Sequence, residues 1–219
     1  MRKIFPLILL FSGVITLGSV IFPLGYSYAR YFLLRPPVLL DPLDTSGVPG
    51  PFVVNILGVA TTDYTSPSTW FTNTPMSPAT PTSVKFFTLT IPRLKLFDVP
   101  VEVNGSDLKK NAIHFPGTAI PGTPGNVVVF GHSALPQFYK AGSPLTIFNP
   151  IINSKVGDRV VVNFDGVTYR YEVKHTAEVK PSEIDVLTQR FDRHEITLIT
   201  CVPLGTYWHR FVVRAELVN

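Results

Sequence analysis

The sequence contains a single cysteine, Cys201, among 219 residues. An internal disulfide is therefore impossible, and zinc sites built from several cysteines are excluded. Charged residues make up only 16% of the chain, and the formal net charge is +4. The chain has no dense run of lysine and arginine with interleaved aromatic residues, so the sequence does not favour binding to nucleic acid. It also has no internal repeat at the periods of solenoids or propellers.

The N-terminus carries a long stretch without charge, from Ile4 to Ala29. A helix of that length, rising about 1.5 Å per residue, can cross a hydrocarbon core of about 30 Å. A cleavable signal peptide is the alternative, but the run is longer than the roughly 7 to 15 apolar residues typical of one. Basic residues at both ends leave the positive-inside rule undecided. We expect residues 1–35 to be a single-pass membrane anchor, with the remaining chain outside the cytoplasmic membrane.

Residues 36–83 differ from both neighbouring regions because they are rich in proline, serine and threonine. Proline fixes φ and removes a backbone donor, so such a segment tends to be semi-extended. The sequence therefore predicts a linker or stalk between the anchor and a domain over residues 84–219.

From Val84 onward, short runs of β-branched and aromatic residues alternate with turn residues. Asp165-Gly166 separates two of these runs and predicts a hairpin, because a type I′ turn needs positive φ at both central residues. Only Ser143–Ser154 and Ser182–Gln189 suit short helices or turns. The pattern predicts an all-β sandwich or closed barrel. The predicted strands are Lys85–Ile91, Val99–Val103, Val127–Phe130, Arg159–Phe164, Thr168–Lys174, Ile196–Cys201 and Arg210–Leu217.

Cys201 lies at the end of a predicted strand, and Arg210 begins the next one. A free cysteine can be an inert buried thiol that packs like a small hydrophobic residue, or it can be a nucleophile. His132 follows another apolar run, Val127–Phe130. If the last two strands pair, the guanidinium of Arg210 can lie beside the thiol.

Three motifs occur in order along the chain. Thr197-Leu198-Ile199-Thr200-Cys201 has the form TLxTC, His132 ends a Pro-Gly-rich segment in Gly131-His132, and Arg210 follows the cysteine. In these motifs the sequence resembles the sortase family of bacterial cysteine transpeptidases. Ile91-Pro92-Arg93-Leu94 and His114-Phe115-Pro116-Gly117-Thr118-Ala119 extend the resemblance over about residues 84–219. The resemblance implies a closed β-barrel of about eight strands.

The resemblance also implies roles for the site residues. Cys201 would attack a threonyl carbonyl and form a thioacyl intermediate, and His132 would act as general acid and base. Arg210 would stabilise the oxyanion or hold the substrate backbone. Thr200 is a weaker candidate for a substrate hydrogen bond, since strand propensity alone also accounts for it. The implied partners are an LPxTG-like sorting-signal peptide and an amine acceptor on the cell wall or on a pilin.

Two alternatives to transpeptidation remain open. The same barrel can serve a thiol hydrolase that releases the acyl group to water, or an anchored β-domain that binds a partner without catalysis. The short spacing from Cys201 to Arg210 resembles the pilin-type or other non-housekeeping branches. Pilin-type members often carry an inhibitory lid, but Asp63-Tyr64 and Trp70-Phe71 form no clear lid motif, so no lid is predicted.

No cofactor is predicted. Some family members bind calcium through acidic loops, but the acidic residues of this chain are scattered and support no calcium site. His114, His175 and His194 lack metal-like spacing with carboxylates, and we expect them at the surface or in turns.

Overall fold

The computed structural model describes residues 4–33, 64–72 and 78–218. Helix α1 spans Ile4–Leu33 and contains the charge-free stretch. Within the described ranges, no helix is identified as combining the length and apolarity needed to cross a membrane. The membrane anchor predicted over residues 1–35 is therefore not confirmed and stays a prediction. Most of the predicted linker, residues 36–63 and 73–77, lies outside the described residues.

The remaining described chain forms a closed barrel of eight strands, in the order β1-β2-β3-β4-β7-β8-β6-β5. The all-β barrel of about eight strands predicted from the sequence is thus confirmed. The strands are β1 Phe86–Ile91, β2 Leu96–Val103, β3 Ala112–His114, β4 Gly125–Phe130, β5 Arg159–Phe164, β6 Val167–Val179, β7 His194–Val202 and β8 His209–Val218.

The structure adds one strand that the sequence pattern did not reveal. Strand β3 has only three residues, which is too short for a recognisable alternation. The predicted hairpin is confirmed, because Asp165 and Gly166 both have positive φ, at 50° and 75°. The two segments expected to hold short helices do so as 3-10 helices, at Pro144–Thr146, Asn149–Asn153 and Ile184–Leu187.

The interior of the barrel is filled by alternate residues of all eight strands. Side chains on a strand point to opposite faces in turn, so each strand gives one face to this interior. Val127 and Val129 of β4 pack there with Ile196 and Leu198 of β7. Parallel pairing of β4 with β7 fixes these side chains at matching heights. This set of residues is called the interior cluster below.

A second apolar cluster lies on the outer face of the same strands. We call it the outer cluster; its members are Trp70, Phe71, Leu108, Ile113, Phe115, Val128, Phe130, Leu187, Ile199, Cys201 and Val212. Both faces of β4 and β7 are therefore buried. Residues 64–72, part of the predicted semi-extended linker, instead form a turn with a 3-10 helix at Pro67–Thr69 and pack on the barrel. Burial of the Trp70 side chain accounts for this difference.

Candidate active site

Cys201 and Arg210 lie directly opposite each other on the antiparallel strands β7 and β8. Residues in such positions have Cβ atoms about 4.5–5.5 Å apart and share one face of the sheet. That face is the outer one, because Ile199 and Val212 on the same strands belong to the outer cluster. The pairing suggested by the sequence is therefore the one that the structure contains.

His132 reaches the same face from β4. Phe130 and Ile199 form the last residue pair between β4 and β7, and the amide of Gly131 continues the pairing by donating to the Ile199 carbonyl at 3.1 Å. His132 and Cys201 each lie two residues beyond that pair. Since side chains alternate, both should follow Phe130 and Ile199 onto the outer face. His132 is 9% exposed.

Position 131 requires glycine because the ring of Phe148 packs closely against its backbone. A Cβ atom at Gly131 would lie 2.5 Å from the ring of Phe148, a separation that real Cβ atoms essentially never show. The amide of Phe148 also donates to the His132 carbonyl at 3.0 Å. The Gly131-His132 motif is thus explained by the close packing of this chain segment on Phe148.

The guanidinium of Arg210 is buried and held by backbone carbonyls. Its Nε and Nη2 donate to the Trp70 carbonyl oxygen at 2.9 and 2.6 Å. Its Nη1 donates to the carbonyls of Tyr207 and His209 at 3.0 and 3.1 Å. Burial lowers the pKa of Arg210 from its ordinary value. Because this planar guanidinium already binds one carbonyl oxygen with two donors, it can bind a substrate carbonyl or an oxyanion in the same way.

The thiol of Cys201 is enclosed, and its burial disfavours the thiolate. The residue is 2% exposed, and burial raises the pKa of the thiol to about 12, with the charge of Arg210 acting in the opposite direction. Because the thiolate is the nucleophile, this arrangement is a resting one. Reaction requires that the thiol is uncovered or that its proton is passed to a base.

Residues 64–72, which we call the covering segment, enclose the site. The Trp70 side chain is fully buried, and its ring centroid lies 5.9 Å from that of His132. The Arg210 guanidinium carbon lies 5.4 Å from the centroid of the same ring. Trp70 Nε1 donates to the Tyr64 carbonyl at 2.8 Å, and the ring of Tyr64 stacks on that of Tyr207 with centroids 4.0 Å apart.

The sequence left open whether a lid covers the site, and in the structure the covering segment lies over it. Trp70-Phe71 lacks a recognisable lid motif, and the segment binds partly through a main-chain carbonyl, which no side-chain pattern reveals. The available signal was weaker: two adjacent large aromatic residues inside a segment otherwise rich in Pro, Ser and Thr.

Thr200 and the histidines other than His132 make contacts of their own. The hydroxyl of Thr200 donates to the Gly131 carbonyl at 2.8 Å and is fully buried, so its substrate contact stays a prediction. His209 Nδ1 lies 3.0 Å from Glu178 Oε1. His114, expected at the surface or in a turn, is fully buried, because its side chain faces Phe87 of the interior cluster. Among the described residues, no group of three or more His, Cys, Asp or Glu is placed to hold a metal ion.

The fold and this cluster define a closed β-barrel with a cysteine, a histidine and an arginine on one outer face. Residues 89–218 match the family model described as Sortase domain, which is more than half of the chain. The chain belongs to the sortase family, a family of cysteine transpeptidases.

Individual relatives agree with this assignment. The chain is 33% identical over 95 residues to sortase A of Bacillus anthracis, covering 43% of this chain and 41% of that protein. The chain thus spans about two fifths of the length of this relative. The structure is similar to sortase C-1 of Actinomyces oris, with a TM-score of 0.55 and 31% identity over 66% of this chain and 85% of that one. It is also similar to a Clostridium perfringens sortase D5 transpeptidase, with a TM-score of 0.51 and 27% identity over 62% and 79% of the two chains.

Proposed function

We propose that this protein is a cysteine transpeptidase that cleaves a C-terminal sorting signal and transfers the acyl part to an amine. The observation that carries the proposal is the pairing of Cys201 with Arg210 across β7 and β8, with His132 two residues beyond the end of the adjacent strand β4. A thiol nucleophile, an imidazole and a carbonyl-binding guanidinium are the groups that acyl transfer through a thioester needs.

The proposed reaction has two steps. The Cys201 thiol first passes its proton to His132. The sulfur then attacks the threonyl carbonyl, the peptide C–N bond breaks, and His132 gives this proton to the departing amine. A thioester between the enzyme and the substrate then remains. In the second step an incoming amine attacks the thioester, His132 takes its proton, and the C–S bond breaks to return the thiolate.

The contact between Arg210 and Trp70 supports the role given to the arginine. Two donors of the guanidinium, Nε and Nη2, converge on one carbonyl oxygen. In the proposed reaction, the substrate carbonyl replaces the Trp70 carbonyl, and the same donors stabilise the oxyanion that forms. Substrate binding therefore requires that the covering segment move away from Arg210.

A fluorogenic LPxTG-type peptide tests the proposal. With full-length protein, added amine should give a ligated product, and Cys201→Ala should give no product. Free acid as the sole product, even with excess amine, would identify a thiol hydrolase instead. Peptide binding without any product from the wild type would favour the non-catalytic anchored β-domain.

The substrate and the cellular setting are part of the same proposal. The acceptor amine belongs to the cell wall or to a pilin, and the barrel lies outside the cytoplasmic membrane, tethered by residues 1–35. The charge-free stretch from Ile4 to Ala29 supports the tether. The relatives include proteins named sortase A, sortase C and sortase D, so the pilin-type branch stays a prediction. A peptide-library cleavage profile would define the motif, and membrane partition with and without residues 1–35 would test the tether.

A further inference from the structure

We propose that Ser133 is a positioning residue that holds His132 in place relative to Cys201. The inference rests on the proposed function, since it assigns Ser133 a part in the same reaction. Ser133 follows the histidine directly, and its hydroxyl donates to the carbonyl oxygen of Cys201 at 2.7 Å. The bond therefore joins the residue next to the general base to the nucleophile itself, across 68 residues of chain.

A second hydrogen bond runs in the opposite direction between the same two chain segments. The hydroxyl of Thr200, the residue before the nucleophile, donates to the carbonyl of Gly131, the residue before the histidine. The regular pairing of β4 with β7 ends at Phe130 and Ile199. The two side-chain bonds thus continue the connection beyond the end of the β-ladder, where the reacting groups lie.

The loop that follows His132 is held by fewer contacts with the barrel strands. After Ala134 the loop becomes exposed, from Pro136 to Gly142. Asn149 fixes Ala134 through two bonds of 2.8 Å: the Ala134 amide donates to Asn149 Oδ1, and Asn149 Nδ2 donates to the Ala134 carbonyl. These bonds hold the loop to the segment that contains Phe148, whereas Ser133 makes the side-chain bond to the strand that carries the nucleophile.

The chemistry of the serine suits positioning better than substrate binding. A hydroxyl has one proton to donate, and that of Ser133 is given to the Cys201 carbonyl. A displacement of about 1 Å between reacting groups can reduce a rate by about a hundredfold. A single bond that limits such displacement should affect the chemical step more than the affinity for peptide.

The test compares full-length Ser133→Ala with Ser133→Thr, which keeps the hydroxyl. The matched control is Thr123→Val, since the Thr123 hydroxyl also donates to a carbonyl, that of Ile120, at 2.8 Å but lies before β4 at the other end of that strand. We expect Ser133→Ala to lower kcat for ligation about tenfold, the scale of one lost hydrogen bond, with KM within about twofold of wild type. Ser133→Thr should recover most of the lost kcat, and Thr123→Val should leave kcat unchanged.

Thermal unfolding of each variant separates positioning from folding. Reduced kcat in a Ser133→Ala protein that still unfolds cooperatively, with rescue by threonine, supports the inference. If Ser133→Ala does not fold, Thr200→Val and Thr200→Ser provide the same comparison from the other side of the connection. Three results would each overturn the positioning role of Ser133. They are an unchanged kcat, a rise in KM alone, and failure of the hydroxyl-bearing variants to recover kcat. A wild type that makes no ligated product would instead refute the proposed function, so the two failures are distinguishable.

Discussion

The interior and outer clusters use the same strands for different purposes. The interior cluster draws on all eight strands and closes the barrel with apolar side chains. The outer cluster uses β3, β4, β7 and β8, together with residues 64–72, and contains Cys201. Arg210 and His132 are buried beside it. On β7, Leu198 serves the interior and Ile199 the outer face, so stability and chemistry are assigned to alternate residues of one strand.

This difference shows how a stable barrel can carry a reactive group. Because side chains alternate, a substitution on the outer face need not disturb the interior packing. Strands β7 and β8, which carry Cys201 and Arg210, are fixed by the interior cluster on their inner face. The covering segment over the site is a separate part of the chain. The site can therefore be opened without opening the barrel.

The largest expected effect is the loss of activity in Cys201→Ala. Removing the nucleophile should reduce ligation of the peptide by more than about a thousandfold. The barrel should persist, because alanine replaces a small side chain outside the interior cluster. Ligation assays with denaturant unfolding of the same protein check both statements. Residual turnover near the wild-type rate would mean that another group attacks the substrate.

Leu89→Ala should have the converse effect. Leu89 is fully buried in the interior cluster, so its truncation should lower the free energy of unfolding by about 3 kcal/mol. Activity per folded molecule should stay close to that of wild type. Denaturant unfolding measures the change, and Phe97→Ala is the control because Phe97 lies on β2 with 62% of its surface exposed. Equal losses in the two variants would contradict the distinction between interior and surface.

The sequence was sufficient for seven of the eight strands and for the order of the site residues. The apolar, β-branched runs Val127–Phe130 and Ile196–Cys201 predict strands, and the TLxTC and Gly-His motifs place Cys201 and His132 near their ends. The covering segment was not predictable in this way, because its contact with Arg210 uses the main-chain carbonyl of Trp70. Buried His114 was missed for a related reason: strand β3 is too short for its inward face to be recognised.

Trp70→Ala should expose the nucleophile. Truncating a buried tryptophan removes packing worth about 3 kcal/mol or more, which corresponds to an increase of about a hundredfold in the population of the open form. Alkylation of Cys201 by a small thiol reagent should accelerate by about that factor. Trp208→Ala is the matched control, since Trp208 is 53% exposed and its truncation should change the rate little. Equal alkylation rates in wild type and Trp70→Ala would show that the covering segment does not limit access.

The smallest predicted effect concerns His114, whose imidazole faces the interior whereas that of His132 lies beside the outer cluster. Burial lowers the pKa of His114 to about 4, although hydrogen bonds with Ala119 and Thr118 act to raise it. The unfolded chain binds this proton below about pH 6.5, whereas the folded protein binds it only near pH 4. The free energy of unfolding should therefore fall as the pH decreases from 6.5 toward 4.

Urea unfolding at pH 6.5 and pH 5 measures this effect above the range in which most carboxylates titrate. At no more than about 1.4 kcal/mol per pH unit, His114 can account for a loss of up to about 2 kcal/mol between these two values. His114→Gln keeps a side-chain donor for the Ala119 carbonyl but cannot take up a proton, so its stability should depend less on pH. If wild type and His114→Gln lose the same free energy of unfolding between pH 6.5 and pH 5, the pH dependence arises from other groups. The prediction for His114 would then be wrong.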